Sequence, residues 1–177
     1  MKTKNLFIVF FAVLILLLSC GTAPTTSDGR PAEDVLNELG IPFVREGNNL
    51  RLQIPPVIYF VPNVATVEGL NPTSIAANNS SLRRVAELIG RLDGNRVIVE
   101  GHANPTTPTG AARNAENPSL ISLSEARARW VSDQLVGLGV EQNRLTTTGV
   151  GASRPAAPFG DTVNAWQNRR VEFLVVR

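Results

Sequence analysis

Apolar residues recur every three or four positions in two long segments of the chain, and this spacing predicts amphipathic helices. One stripe indicates a helix over residues 82–92, with a polar cap among residues 79–81. A second stripe indicates a helix over residues 123–138, which Gly139 would end. A shorter helix is predicted over residues 31–39, so that residues 31–42 form a connector ahead of the main domain.

Shorter apolar runs, some of them alternating with polar residues, predict a set of strands. Residues 43–54 alternate around a Gly-Asn pair, which is typical of a β-hairpin. Four further strands are predicted over residues 57–60, 96–100, 144–148 and 170–176. Residues 61–78 and 105–122 are rich in breakers and are predicted to be irregular. Together the elements predict one α+β domain over residues 43–177, with helices on one face of a mixed sheet.

The first twenty residues have a different pattern, which is typical of an export signal. Two lysines precede an unbroken apolar run at residues 6–18, and Ser19 and Cys20 follow it. A basic start, a short apolar stretch and a small residue before the processing point predict a secretory signal peptide over residues 1–19.

The sequence Leu-Leu-Ser-Cys-Gly at residues 17–21 resembles a bacterial lipobox, in which the cysteine is acylated. We therefore expect Cys20 to anchor the protein to a lipid bilayer. A cleaved signal without lipid and an uncleaved anchor helix are the alternatives, although 13 apolar residues are fewer than the about 20 that span a membrane. Gly21 after the cysteine favours the outer membrane, with residues 20–30 as a flexible linker into the periplasm.

Composition narrows the classes of partner. Both lysines lie in the predicted signal, so removing them leaves 15 arginines against 15 acidic residues. A charge-balanced domain is not expected to bind nucleic acid, because that binding depends on neutralising phosphates. Cys20 is the only cysteine, so no disulfide can form within this sequence.

Few residues are suited to catalysis or to metal binding. His102 is the only histidine, so a site built from several histidines cannot form. The Gly-Val-Gly sequence at residues 149–151 is too short to indicate a nucleotide site. We therefore expect a binding protein without cofactor or metal, rather than an enzyme.

Three short motifs, taken in order, point to one family. They are Gly-His-Ala-Asn at residues 101–104, Leu-Ser-Glu-Ala-Arg-Ala at residues 123–128, and Asn-Arg-Arg-Val-Glu at residues 168–172. Their order and setting resemble the OmpA-like C-terminal domain family over about residues 43–177. The resemblance implies a β-α-β-α-β-β sandwich that binds the peptide stem of peptidoglycan non-covalently, through its dibasic residue. The expected role is an outer-membrane lipoprotein that anchors the envelope to the cell wall.

The resemblance also implies which residues bind the ligand. Arg127, expected in the first turn of its helix, matches the arginine that receives the ligand carboxylate. Asn63 matches an asparagine that lines the pocket, and Arg169 matches an arginine near it. Asn104 stands where the family has an aspartate that receives the ligand ammonium.

Asn104 and the segment after it depart from the family pattern. An amide oxygen brings no charge, so we expect binding weaker by about 1 kcal/mol, nearly tenfold. Glu116 or Glu125 could supply the missing charge, and Leu120 replaces an asparagine of the family. Two further hypotheses remain open. The domain could have lost wall binding and act as a structural or protein-interaction module, or the wall could carry a dibasic residue without a distal carboxylate, such as ornithine.

Overall fold

A computed structural model describes residues 24–26, 28–53, 58–92, 95–107 and 109–176. The predicted signal peptide and the predicted lipidation site, Cys20, lie outside these residues. The helices are α1 (Ala32–Glu38), α2 (Pro72–Arg91) and α3 (Gly110–Gly137). The strands are β1 (Phe43–Glu46), β2 (Asn49–Leu52), β3 (Ile58–Tyr59), β4 (Arg96–Gly101), β5 (Leu145–Gly149) and β6 (Arg170–Val176). Short 3₁₀ turns occupy Gln142–Arg144 and Ala165–Asn168.

The strands form one mixed sheet with β6 at its centre. The order is β1-β2-β6-β4-β5, and only β4 and β5 run parallel. On the side of β6 away from β4, β2 pairs with residues 173–175 and β3 pairs with residues 170–171. The predicted hairpin and α+β architecture are therefore confirmed.

Alternation along the central strands assigns the two faces of the sheet. Val97 and Val99 of β4 and Phe173 of β6 are buried in the core, on the face that α2 and α3 cover. The intervening residues of the same strands are charged or half-buried and lie on the other face. In the part of the chain described, no helix has both the length and the hydrophobicity that crossing a bilayer requires.

Helix α2 begins well before the predicted start. The apolar stripe predicted residues 82–92, but the helix starts at Pro72. The Asn71 side chain accepts a hydrogen bond from the Ser74 backbone N–H at 2.8 Å, and Pro72 occupies the first helical position, where no N–H is needed. Asn71-Pro72 is a helix-start signal, but the residues that follow it are mostly polar, so hydrophobic periodicity does not indicate the first turns of α2.

The expected loop at residues 105–122 is wrong, because α3 already begins at Gly110 and continues through Pro118. Proline inside a helix removes one backbone hydrogen bond and usually breaks it. Here the extra turns bury Leu120, and the Ser122 hydroxyl donates to the Pro118 carbonyl oxygen at 3.1 Å. Tertiary packing thus offsets the cost of the proline.

The segment expected to be a flexible linker, residues 20–30, lies against the domain where the structure describes it. Thr25 forms a β-bridge with Pro31, and the Asn95 side chain donates to the Thr25 carbonyl oxygen at 2.5 Å. Pro24 and Thr26 are buried. Contacts with the domain therefore extend to residue 24 in the described part of the chain, four residues after the predicted lipidation site.

Two glycines allow α3 to approach the sheet closely. Gly101 and Gly149 are register partners on β4 and β5. A Cβ at Gly101 would lie 1.9 Å from the Ser124 carbonyl oxygen, and one at Gly149 would lie 2.4 Å from the Glu125 nitrogen. Real Cβ atoms do not come this close to other atoms, so the backbone of α3 lies directly against the backbones of β4 and β5. This contact sets the distance between the sheet and the residues that follow Ser124.

We expect Gly101→Ala to reduce the free energy of unfolding by about 3 kcal/mol, because α3 must move away from the sheet. Gly90→Ala is the matched control. Gly90 lies inside α2 with open space around it, so alanine there should raise stability by about 0.5–1 kcal/mol. Urea unfolding measures both changes, and equal effects at the two positions would contradict the close contact.

Candidate functional site

The four residues expected to bind ligand are connected at one end of the sheet. They lie in the 61–64 loop, at the end of β4 at residues 102–104, on α3 at Arg127, and before β6 at residues 168–169. These four parts form a closed set of hydrogen bonds, which we call the arginine site. The motifs distant in sequence are therefore adjacent in space.

Arg127 is the centre of this site. Its Nε donates to the Val64 carbonyl oxygen at 2.9 Å, its Nη1 to the His102 oxygen at 2.9 Å and its Nη2 to the Val61 oxygen at 3.0 Å. The residue is 0% exposed. It lies in the middle of α3, so the expectation that it occupies a first helical turn, with help from the helix dipole, is wrong. The reason is that α3 begins at Gly110, within the segment 105–122 that was expected to be a loop.

The charge of Arg127 has no acidic partner among the residues that the structure describes. Burial and, to a smaller extent, the neighbouring Arg169 cation together lower its pKa to about 10. The guanidinium carbon lies 5.1 Å from the centre of the Phe60 ring, which partly compensates for the lost water. In the described residues no carboxylate forms an ion pair with it, so positive potential persists at this end of the sheet.

Arg169 is the more accessible cation of the site. It is half-buried, and its Nε donates to the Phe60 carbonyl oxygen at 3.1 Å. Burial lowers its pKa, and no described acidic residue pairs with it. Arg127 and Arg169 therefore bind consecutive carbonyls, those of Val61 and Phe60, and hold two positive charges close together. Such a pair attracts an anion.

Asn104 is fixed by a neighbouring amide that the sequence analysis missed. Asn168 is buried, and its Oδ1 accepts from the backbone N–H groups of Ala156 and Ala157. Its Nδ2 must then donate, and it reaches Asn104 Oδ1 at 2.8 Å. Asn104 Nδ2 donates to the Pro105 oxygen at 2.8 Å. One lone pair of Asn104 Oδ1 remains for a ligand.

Asn63 lies at the tip of the 61–64 loop. Its φ of 57° is in the left-handed region, which asparagine tolerates better than most residues, and it is exposed. Val61 and Val64, on either side, both accept hydrogen bonds from Arg127. Arg127 therefore determines where the Asn63 side chain stands.

A small apolar cluster attaches the start of α3 to the residues that lead into Asn104. Ala103 and Leu120 pack together in a small apolar cluster with Ala152, and Leu123 and Phe159 lie against it. The extension of α3 is thereby attached to the chain that leads into Asn104.

Neither Glu116 nor Glu125 supplies the charge that Asn104 lacks. Glu116 accepts hydrogen bonds from the Thr107 and Thr106 side chains and from the backbone N–H groups of the same residues, and these bonds lower its pKa to about 2. It lies eleven residues before Arg127 on α3, about 16 Å along the helix axis, too far for one amino-acid group to contact both. Glu125 accepts from the Thr147 hydroxyl at 2.9 Å, on the β5 side of the helix.

A second polar cluster lies on the face of the sheet opposite the helices. One ligating atom each of Glu100, His102 and Glu172 lies within 4.8 Å of the others, as a metal site would require. Arginines already pair with the two glutamates at distances between 2.6 and 3.1 Å: Arg51, Arg154 and Arg170. Their positive charge opposes a cation, so the cluster is an ion-pair network.

A model of the OmpA family matches residues 63–169, which begin and end at residues of the arginine site. The chain belongs to the OmpA family. Each of the three motifs, at residues 101–104, 123–128 and 168–172, contributes at least one residue to the hydrogen bonds of the arginine site.

Individual relatives and solved structures agree with this assignment. The chain is 29% identical over 142 residues to "Probable lipoprotein YiaD" of Escherichia coli, covering 80% of this chain and 58% of that one. It is 33% identical over 101 residues to the peptidoglycan-binding protein ArfA of Mycobacterium tuberculosis, covering 57% and 28%. The chain thus spans 58% or less of the length of these relatives. A MotB-like protein of Desulfovibrio vulgaris superposes with a TM-score of 0.58 at 26% identity, covering 82% and 86%.

Replacing Arg127 tests its structural role. Arg127→Met keeps the aliphatic volume but removes the donor to three carbonyls, one buried and two half-buried, so the free energy of unfolding should fall by about 3 kcal/mol or more. Arg129→Met, at a side chain 70% exposed on the same helix, should change it by less than about 0.5 kcal/mol. Similar urea midpoints for the two variants would show that the three hydrogen bonds contribute little.

The ion-pair network predicts a loss of stability in acid. Burial alone raises the pKa of Glu172, but His102 and the Arg170 charge outweigh it and lower the pKa to about 2. The ionised form therefore stabilises the fold above about pH 4.5, by about 3 kcal/mol, and this is lost as the pH falls towards 2. In Glu172→Gln the melting temperature should fall less between pH 4.5 and pH 2 than in the natural chain. The same fall in both proteins would contradict the role of Glu172 in acid stability.

Proposed function

We propose that this chain is a lipoprotein that binds peptidoglycan non-covalently and attaches the cell envelope to the wall, without catalysis. The observation that carries the proposal is the pair of guanidinium groups, Arg127 and Arg169, held together without an acidic partner in the described residues. The names of the relatives support it, since one is a peptidoglycan-binding protein and another a lipoprotein.

The ligand group is the dibasic residue of the stem peptide. Its carboxylate pairs with Arg169, which is half-buried and has unused N–H groups. Arg127 acts from behind, because it is fully buried and three of its five N–H groups already bind carbonyls. It contributes positive potential and holds the loop that carries Asn63.

The ligand ammonium meets a neutral acceptor. Asn104 Oδ1 offers one lone pair and no charge. Hydrogen bonds to charged groups contribute about 1.5–3 kcal/mol, against about 1 kcal/mol for neutral pairs, so the amide lowers affinity about tenfold relative to a carboxylate. The carboxylate contact therefore contributes more to binding than the ammonium contact.

Lipid attachment at Cys20 places the domain close to the outer membrane, in the periplasm. Pro24 is already packed against the domain, so the chain from Cys20 to Pro24 reaches at most about 14 Å. The protein is then a short tether, and the wall must come to the membrane surface for the site to engage it.

The direct test is binding of purified stem peptide that carries diaminopimelate, measured by calorimetry. Arg169→Ala should weaken binding at least tenfold, because it removes the accessible cation. Arg83→Ala, which removes an exposed cation from α2, is the matched control and should bind as the natural chain does.

Equal affinities for Arg169→Ala and Arg83→Ala would contradict the assigned contact. If the natural chain bound neither stem peptide nor purified sacculi, the alternative of a structural or protein-interaction module would replace this proposal. The fixed amide of Asn104 is the feature that favours that alternative.

A further inference from the structure

A groove of about 380 Å³ lies next to the arginine site and shares Arg169 with it. The proposed stem-peptide contacts give the rest of this groove no function. It is bounded by β3, by the first turns of α2 and by the 3₁₀ turn before β6. Its lining includes aromatic, aliphatic, hydroxyl and guanidinium groups: Tyr59, Pro62, Leu70, Thr73, Trp166 and Arg169. Its volume falls in the range of about 300–1,000 Å³ that small-molecule sites occupy.

Two aromatic side chains form one wall of the groove. Tyr59 and Trp166 pack edge to face, with ring centres 4.7 Å apart and planes at 74°. Trp166 is 41% exposed, although burying a tryptophan side chain would stabilise the protein. Burial raises the pKa of Tyr59, so its hydroxyl stays protonated and can donate a hydrogen bond. The wall is therefore an apolar surface with a polar edge.

Polar groups also line the groove. The hydroxyls of Thr73 and Ser74 line the groove, and neither makes a hydrogen bond with the side chains and backbone that the structure describes. Arg169 also lines the groove, and of its guanidinium N–H groups only Nε bonds to a residue that the structure describes. A ligand here needs an apolar face for the two aromatic rings and several hydroxyl or amide groups for the polar lining residues.

We propose that this groove binds a sugar ring of the peptidoglycan glycan strand. A saccharide has C–H faces that pack on aromatic rings and hydroxyls around its edge, which matches the aromatic and polar groups that line the groove. Arg169 belongs to both the groove and the arginine site, so a stem peptide held by Arg169 brings its covalently attached glycan to Trp166. The inference rests on the proposed function and adds a second contact to it.

The test compares two ligands that differ only in the sugar. The stem peptide alone and the same peptide carrying its disaccharide are titrated into the natural chain by calorimetry. The disaccharide should strengthen binding at least tenfold. In Trp166→Ala the two ligands should bind equally, with the affinity for the peptide alone retained. Val163→Ala, at a neighbouring apolar residue that is 77% exposed and outside the groove, should keep the full gain.

A measurement on the natural chain makes the test independent of any variant's folding. The indole N–H resonance of Trp166 should shift with the disaccharide peptide and stay in place with the peptide alone. Equal affinities of the natural chain for both ligands, or a gain that survives Trp166→Ala, would overturn the glycan contact while leaving the peptide contact standing. No binding of either ligand would instead overturn the proposed function itself. An unrelated apolar peptide that shifts the same indole resonance would instead assign the groove to a protein partner and overturn the glycan contact.

Discussion

Three carbonyl oxygens converge on one buried guanidinium, and the site exists because they do. Arg127 connects the 61–64 loop to the end of β4 through the oxygens of Val61, Val64 and His102. Removing a guanidinium from water is costly, and here hydrogen bonds to neutral groups, rather than a carboxylate, satisfy it. The charge is therefore held in place but not neutralised. This combination gives the protein a rigid end with a positive potential.

The position of Arg127 depends in turn on how closely α3 lies on the sheet. Gly101 and Gly149 leave no side chain between the strands and Ser124, three residues before the arginine. The Ser124 hydroxyl also accepts from the Gly151 backbone N–H at 2.9 Å, which ties the loop after β5 to the helix. A larger residue at either glycine would lift the helix and separate the guanidinium from its three acceptors. Packing in the middle of the domain thus sets the geometry at its end.

The sequence predicted the parts of the fold that have a strong local signal. The hairpin, the strands and the α+β class follow from alternation and turn residues, and the motifs located the site. The starts of α2 and α3 have no such local hydrophobic signal. Asn71 and Pro72 begin α2 in a polar segment, and Pro118 looked like a breaker although burial of Leu120 sustains the helix around it. Hydrophobic periodicity detects neither case.

The candidate site shows the same division. Residue types at Arg127, Arg169 and Asn104 could be read from the motifs, but their exposure could not, because burial depends on contacts between distant segments. Asn168 stood in a quoted motif, yet its effect on Asn104 appears only in the folded chain. Trp166 lies outside the quoted motifs, and only its contact with Tyr59 across the groove gives it a candidate role.

The central claim is that Arg169 contacts the ligand while Arg127 keeps its carbonyls. A crystal structure of the domain with a bound stem peptide tests this most directly. The account predicts a ligand carboxylate within hydrogen-bonding distance of Arg169, with the Arg127 bonds to Val61, Val64 and His102 intact. A displaced 61–64 loop, with the carboxylate bound directly to Arg127, would contradict it.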